Sequence, residues 1–298
     1  MTWLVLGGNG QLGKALSNSL GNRRLDFRVW GSEDLDIRSA IRTAELIGAL
    51  KPAVIINAAA WTDVDGAERN PEGAHSVNAQ GALNLAAASK AVGAVFVHVS
   101  TDYVFSGVSS QPWLETDLRA PVSVYGTTKA AGEVAVLNEY SEKSYIFRTA
   151  WLYSEWGKNF AKTMTRLALT TDGEVKVVDD QIGQPTAAAD LAEQIILSIE
   201  AKLPFGIYHG TNSGQTSWFD FAKEIFTFCG GEELASRVVR TDSASFVRPA
   251  KRPAYSVLGH DAWSAVGVEG ISVKPMRDWK TALHEAMPAI ISAVKAEG

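Results

Sequence analysis

Tyr125 and Lys129 stand four residues apart in Tyr125-Gly126-Thr127-Thr128-Lys129, a spacing that puts a phenol and an ammonium on one face of a helix. A phenol with a pKa of about 10 is a poor acid at neutral pH unless a cation stabilises its phenolate. Lys129 would supply that charge, although an exposed helical pair has the same spacing. Upstream, His98-Val99-Ser100-Thr101-Asp102-Tyr103-Val104-Phe105 ends an apolar run in hydroxyls, and the Thr101 hydroxyl could polarise a carbonyl. A Ser/Thr turn that satisfies its own backbone amides is the other reading of that segment. Gly7, Gly10 and Gly13 give a G-x-x-G-x-x-G spacing, a variant of the dinucleotide fingerprint. There, side chains would block the tight turn, the approach of amides to a pyrophosphate, or the packing of helix on strand.

The elements that must position these residues are legible in the periodicity. Residues 2–6 are a short apolar run ending in glycines, and residues 11–20 read as a helix with Leu12, Leu16 and Leu20 spaced by four. The pattern repeats with strands at 27–30, 54–57 and 95–100 and helices at 39–50 and 77–92. A helix from about Tyr125 to about Asn138 and a strand at 145–148 follow. Such alternation predicts an α/β, Rossmann-type, doubly wound parallel sheet, whose strand ends are where ligands bind. Beyond Trp151 the regularity weakens: helices at 159–169, 187–199 and 218–229, short strands at 175–178 and 207–209, and a loop over 239–257. We read residues 1–150 as a dinucleotide-binding domain, to which later segments return, and residues 151–298 as mainly a smaller substrate-binding lobe.

Composition bounds the class. The 298 residues are 46% hydrophobic and 20% charged, which fits a folded enzyme-sized chain rather than a disordered or fibrous one. A net charge of −5 with scattered Lys and Arg suggests neither a nucleic acid nor a membrane surface as partner, and a small molecule is expected instead. There is no apolar run of about 20 residues and no basic start of a signal peptide, so the expected location is cytoplasmic. The single cysteine, Cys229, reads as a small core hydrophobe.

The second strand ends Val29-Trp30-Gly31-Ser32, where the fold would place a carboxylate to grip the ribose of NAD. With Glu33 and Asp34 only beyond the tip, the reading leans towards NADP or dual use. The Leu35-Asp36-Ile37 run could reach the adenine, or Asp36 could cap the next helix.

Together these residues resemble the extended short-chain dehydrogenases/reductases, and within them the branch that reduces nucleotide-linked 4-keto sugars. The resemblance rests on Asn57-Ala58-Ala59-Ala60-Trp61-Thr62-Asp63-Val64-Asp65, Ser100 to Phe105, Tyr125 to Lys129, Phe147-Arg148-Thr149-Ala150-Trp151-Leu152-Tyr153, Asp180-Gln181-Ile182-Gly183-Gln184-Pro185-Thr186, and Arg248-Pro249-Ala250-Lys251-Arg252-Pro253. It covers nearly the whole chain. It implies that Tyr125 donates a proton, that Lys129 lowers its pKa and holds the nicotinamide ribose, and that Thr101 hydrogen-bonds the substrate carbonyl. It also implies that Gly10, Gln11 and Leu12 lie under the pyrophosphate, Asp36 and Ile37 near the adenine, and Ala60, Trp61 and Thr62 along the cofactor cleft, with Asp102 and Trp151 on the sugar. Trp151 suits a sugar face or a base because it offers apolar area with one donor, unless it is a core residue. Arg252 suits a diphosphate, which a guanidinium binds bidentately, unless it is a surface arginine beside proline.

The implied reaction is reduction by NADPH or NADH of the C4 ketone of dTDP-4-dehydro-L-rhamnose to dTDP-L-rhamnose. Two alternatives stay open: reduction of another nucleotide-linked keto sugar, of the dihydrostreptose type, and a non-catalytic NADP-binding regulatory subunit. Some relatives dimerise through a divalent cation held by an acid early in the first helix. Lys14-Ala15-Leu16 offers no such acid, so no metal is expected, and a homodimer is left open.

Overall fold

The computed structural model describes residues 2–264, 267–268 and 271–297. Six parallel strands form the central sheet: β1 (Trp3–Leu6), β2 (Phe27–Trp30), β3 (Val54–Asn57), β4 (Val95–Thr101), β5 (Ser144–Thr149) and β6 (Gly206–His209). Their order across the sheet is β6-β5-β4-β3-β1-β2. Every pairing is parallel, which requires crossovers and buries both faces, so β1, β3 and β5 are buried along their whole length, including the polar Asn57, Ser144, Arg148 and Thr149. The order reverses between β1 and β3, and the carboxyl ends of these two strands open the crevice where such sheets take ligands.

Helix α1 (Gln11–Asn22) buries Leu12, Leu16 and Leu20 against the sheet, as their spacing requires. Helices α2 (Ala40–Leu50) and α3 (Gly81–Val92) cover the opposite face with α4 (Val124–Tyr140), the helix of Tyr125 and Lys129. The helix expected at 77–92 is preceded by two short helices, Val64–Arg69 and Pro71–His75, and by a widened π-turn at Ser76–Gln80. Asp63 and Asn70 cap the two short helices, a local signal that the apolar period does not carry.

The strand expected at 207–209 is the sheet's edge strand, with Gly206 opposite Tyr145 and His209 opposite Arg148. Beyond β5 a second core forms around the parallel pair Val175–Val178 and Val238–Thr241. Packed around it are α5 (Phe160–Thr170), α7 (Trp218–Ala235) and α8 (Trp279–Glu297), while α6 (Ala188–Glu200) lies against α1. Helix α7 breaks at Gly230 and Gly231, next to the expected end at 229. The loop reading of 239–257 is corrected at its start, where Val238–Thr241 completes that two-stranded sheet. Helix α8 carries Pro288 in its interior, which local propensity counts against; buried Leu283, Met287 and Ile290 outweigh that cost. Among the described residues no helix is long and apolar enough to cross a membrane.

Candidate active site

A cleft of about 930 Å³ opens along the carboxyl ends of the sheet strands. Its floor at one end is the turn after β1. Gly7 has φ +78°, and a Cβ there would come within 2.6 Å of the Ala59 nitrogen, so only glycine brings the turn this close to the next strand. A Cβ on Gly13 would strike the Gly7 carbonyl, so Gly13 lies beneath the turn and lets α1 pack on it, outside the cleft lining. Gly10 stands at the N-cap of α1 with no side-chain cap and no acid in the first turn. The first N–H groups of α1 and the positive end of its dipole are thus left for an anion.

Gly7, Gly10, Gln11, Leu12, Asp36, Ile37, Ala60 and Thr62 all line this cleft, as do Thr101, Asp102, Tyr125, Lys129 and Trp151. Asp36 is paired with Arg38, whose hydrogen bond holds the carboxyl below its usual range. At the tip of β2, Glu33 folds back beneath Gly31 and accepts from the Asn9 amide at 2.9 Å, so an acid stands near the position that Ser32 vacates. Trp61 does not join the lining. Its backbone N–H donates to Asn78 Oδ1 at 2.8 Å and its indole N–H donates to the Asp63 carbonyl at 2.9 Å, turning the ring outward. Arg252 is also outside the lining: its guanidinium is bidentate on Asp65, at 3.1 and 3.0 Å, and Asp65 further accepts from the Ala250 N–H.

The three candidate catalytic groups converge. Thr101 ends β4 opposite Thr149 of β5, and its hydroxyl donates to Asp102 Oδ1 at 2.8 Å. Helix α4 begins beside it, capped by Ser123 and by Glu68, whose carboxylate accepts from the Val124 N–H at 2.8 Å; Tyr125 is its second residue. Burial pushes the Tyr125 phenol up to about 12, against the opposing pull of the nearby Thr101 hydroxyl. The expected lowering by Lys129 is not seen: desolvation raises the phenol instead and keeps it in its proton-bearing form. Burial pushes Lys129 down to about 8, with Glu133 acting the other way, and its ammonium donates to the Val99 carbonyl at 2.6 Å. Asp102 is raised to about 6 by burial, against the opposing pull of the nearby Ser256 hydroxyl and of Thr101, which donates to Oδ1, and its Oδ2 has no partner.

Two groups escaped the sequence reading. Glu133, one helical turn after Lys129, is fully buried and accepts from Ser100 at 2.6 Å, from Arg148 at 2.9 and 2.8 Å and from Arg119 at 3.1 Å. Burial pushes its carboxyl up, but these donors outweigh that and hold it ionised. The extra turn in Tyr125-x-x-x-Lys129-x-x-x-Glu133 is the signal that could have found it. Trp218 lines the cleft from the second core, far from Trp151 in sequence, and no local signal marks it.

The family described as the RmlD substrate binding domain matches residues 1–291. The chain is 44% identical over 292 residues to a dTDP-4-dehydrorhamnose reductase of Streptomyces griseus, covering 97% of this chain and 93% of that one. It superposes with a TM-score of 0.89 on the dTDP-4-dehydrorhamnose reductase of Clostridium acetobutylicum, at 41% identity and covering 97% and 99% of the two chains. The TM-score is again 0.89 with the Bacillus anthracis dTDP-4-dehydrorhamnose reductase solved in complex with NADP, at 38% identity and 96% and 98% coverage. With a glycine turn, a hydroxyl-ended fourth strand and a Tyr/Lys helix in one cleft, the chain belongs to the RmlD family, the dTDP-4-dehydrorhamnose reductase branch of the extended short-chain dehydrogenases/reductases.

Proposed function

We propose that the chain reduces the C4 ketone of dTDP-4-dehydro-L-rhamnose to dTDP-L-rhamnose, using NADPH or NADH, as the last step of dTDP-rhamnose synthesis. The observation that carries this reading is the meeting of Thr101, Tyr125, Lys129 and the unpartnered Asp102 Oδ2 in the cleft that also holds the glycine turn. Residues 1–150, joined by β6, would bind the cofactor, and most of 151–298 would bind the nucleotide sugar. We place the enzyme in the cytoplasm.

The turn suits a dinucleotide: Gly7 admits a close backbone approach, and the uncapped first turn of α1 offers its N–H groups to the pyrophosphate. Gly10, Gln11 and Leu12 would hold that group, Asp36 and Ile37 the adenosine end, Ala60 to Thr62 the middle, with Trp61 contributing backbone alone. When bound, the reduced nicotinamide supplies the hydride. As the ketone is reduced, charge develops on its C4 oxygen. Tyr125 gives its phenolic proton to that atom, and the Thr101 hydroxyl turns from Asp102 to donate a hydrogen bond to it. Lys129 then offsets the phenolate charge and holds the nicotinamide ribose. Asp102 Oδ2 accepts from a sugar hydroxyl, and the Trp151 indole, stacked on Trp218, meets the sugar with its cleft-facing edge. Arg252 would reach the diphosphate from its clasp with Asp65.

The test is NADPH and NADH oxidation with freshly made dTDP-4-dehydro-L-rhamnose, comparing wild type with Tyr125→Phe. Loss of ~100-fold or more in kcat is expected in the variant. Cofactor binding without turnover in the wild type would overturn the reading in favour of another keto sugar or a non-catalytic, NADP-binding role.

A further inference from the structure

Trp151 and Trp218 lie face to face in the cleft, their ring centroids 3.5 Å apart and their planes within 10°. Trp151 holds this place at φ +44°, in the left-handed region that a bulky residue adopts only when its surroundings over-determine it. Those surroundings are specific. One side of its ring lies against Gly183, where a Cβ would come within 2.6 Å of two ring carbons. The Trp151 carbonyl accepts from the Thr186 N–H at 3.2 Å. Its ring also stacks on Trp218.

Trp218 is itself fixed. It opens α7 behind Ser217, whose hydroxyl accepts from the Asp220 N–H and donates to Asp179 at 2.5 Å, and Phe160 backs the indole at 4.5 Å. Antiparallel pairing of Thr216 with Gly183 and of Ser217 with Ile182 brings the glycine and the second indole to Trp151 together. The pair stands on the β5 side of the cleft, across the sheet from the Asp36 end. Its only polar side-chain atoms are the two indole nitrogens, and with the faces stacked on each other the cleft meets the ring edges, where a hydroxyl pressed on the carbon atoms loses water without gaining a partner.

We propose that Trp218 is a specificity-determining residue of the reduction: with Trp151 seated on Gly183 it forms an apolar wall that takes the deoxygenated C6 edge of a nucleotide-linked 4-keto sugar and disfavours a 6-hydroxylated one. The inference rests on the ketoreductase reading above. Apolar walls discriminate against an added hydroxyl by roughly 100-fold at most, so the effect is graded rather than absolute.

The experiment compares wild type, Trp218→Ala, Trp218→Phe and Gly183→Ala on two dTDP-linked 4-keto hexoses, one 6-deoxy and one 6-hydroxylated. NADPH affinity is followed by fluorescence, and the indole pair by its exciton couplet in circular dichroism. Trp218→Ala is expected to lose the couplet, keep its NADPH affinity, and lose roughly 10- to 100-fold in kcat/KM on the 6-deoxy substrate, mainly through KM, with little loss on the other. Trp218→Phe recovers part of this, and Gly183→Ala, which displaces the Trp151 ring, moves in the same direction as Trp218→Ala. An equal loss on both sugars, or an unchanged preference after the couplet has gone, overturns the proposal. Should wild type turn over neither sugar, the ketoreductase reading fails by itself. Binding of dTDP-6-deoxyhexose against dTDP-hexose then decides this one: preference for the 6-deoxy sugar with a perturbed couplet supports it, and equal affinity with an unchanged couplet sinks it.

Discussion

Asp102 shows at the scale of one residue how a site trades stability for function. Burial lifts its carboxyl from an ordinary 3.8 to about 6, so between those values the folded chain holds a proton that the unfolded chain releases. Its contribution therefore becomes less favourable as pH rises through that window and stays unfavourable above it. Asp102→Asn removes the buried charge, and the expected gain is ~1–3 kcal/mol at about pH 7, shrinking to nothing near pH 4, with a raised sugar KM. Urea titrations at the two pH values check it; a gain that persists in acid would contradict the assignment. Lys129 predicts the alkaline limb. With its ammonium pushed down to about 8, kcat/KM for the sugar at saturating NADPH should fall above that value rather than near the ordinary lysine value of 10.5. The Tyr and Lys at four-residue spacing were legible because they lie on one helix. Their protonation was not, because desolvation depends on what the rest of the chain packs around them.

At the scale of elements, Glu133 ties α4 to two strands: to β4 through Ser100 and to β5 through Arg148. The helix that carries Tyr125 and Lys129 is thereby held against the strand that carries Thr101. Removing one partner of a buried pair leaves the other charge uncompensated, so Glu133→Gln is expected to cost about 3 to 5 kcal/mol of stability. It should also move the Lys129 limb to lower pH, because the anion that favours the ammonium is gone. The double variant Glu133→Gln with Arg148→Met should recover part of the stability, read by denaturant titration as a mutant cycle, and leave the limb displaced. Stability recovered together with the limb would make the role purely structural. Strands, helices and their order through β5 followed from apolar runs and glycine turns. The short capped helices after β3 and the Pro-containing α8 did not, because caps and tertiary burial rather than periodicity set them.

The whole molecule closes through the clasp of Asp65 on Arg252 and Ala250, which joins the loop after Thr241 to the short helix Val64–Arg69. The same helix caps α4 through Glu68, so the clasp and the catalytic helix share one support. Asp65→Asn is expected to free the loop, seen as faster proteolysis between residues 242 and 252, and to raise KM for the nucleotide sugar roughly 10-fold while NADPH affinity stays put. Unchanged proteolysis would show that the clasp does not hold the loop.

What the sequence by itself determined was local: a strand that ends in Gly7, Gly10 and Gly13, an apolar β4 that ends in Thr101, and a Tyr125/Lys129 helix face. Each is set by the period of its own element and needs nothing distant. Tertiary structure decided the rest. It carried β6 to the edge of the main sheet, turned Trp61 out, drew Arg252 to Asp65, and brought Trp218 against Trp151 across the register of Ser217 with Ile182. Those outcomes depend on long-range pairing and on which charges end up without water, and neither is written in the spacing of neighbouring residues.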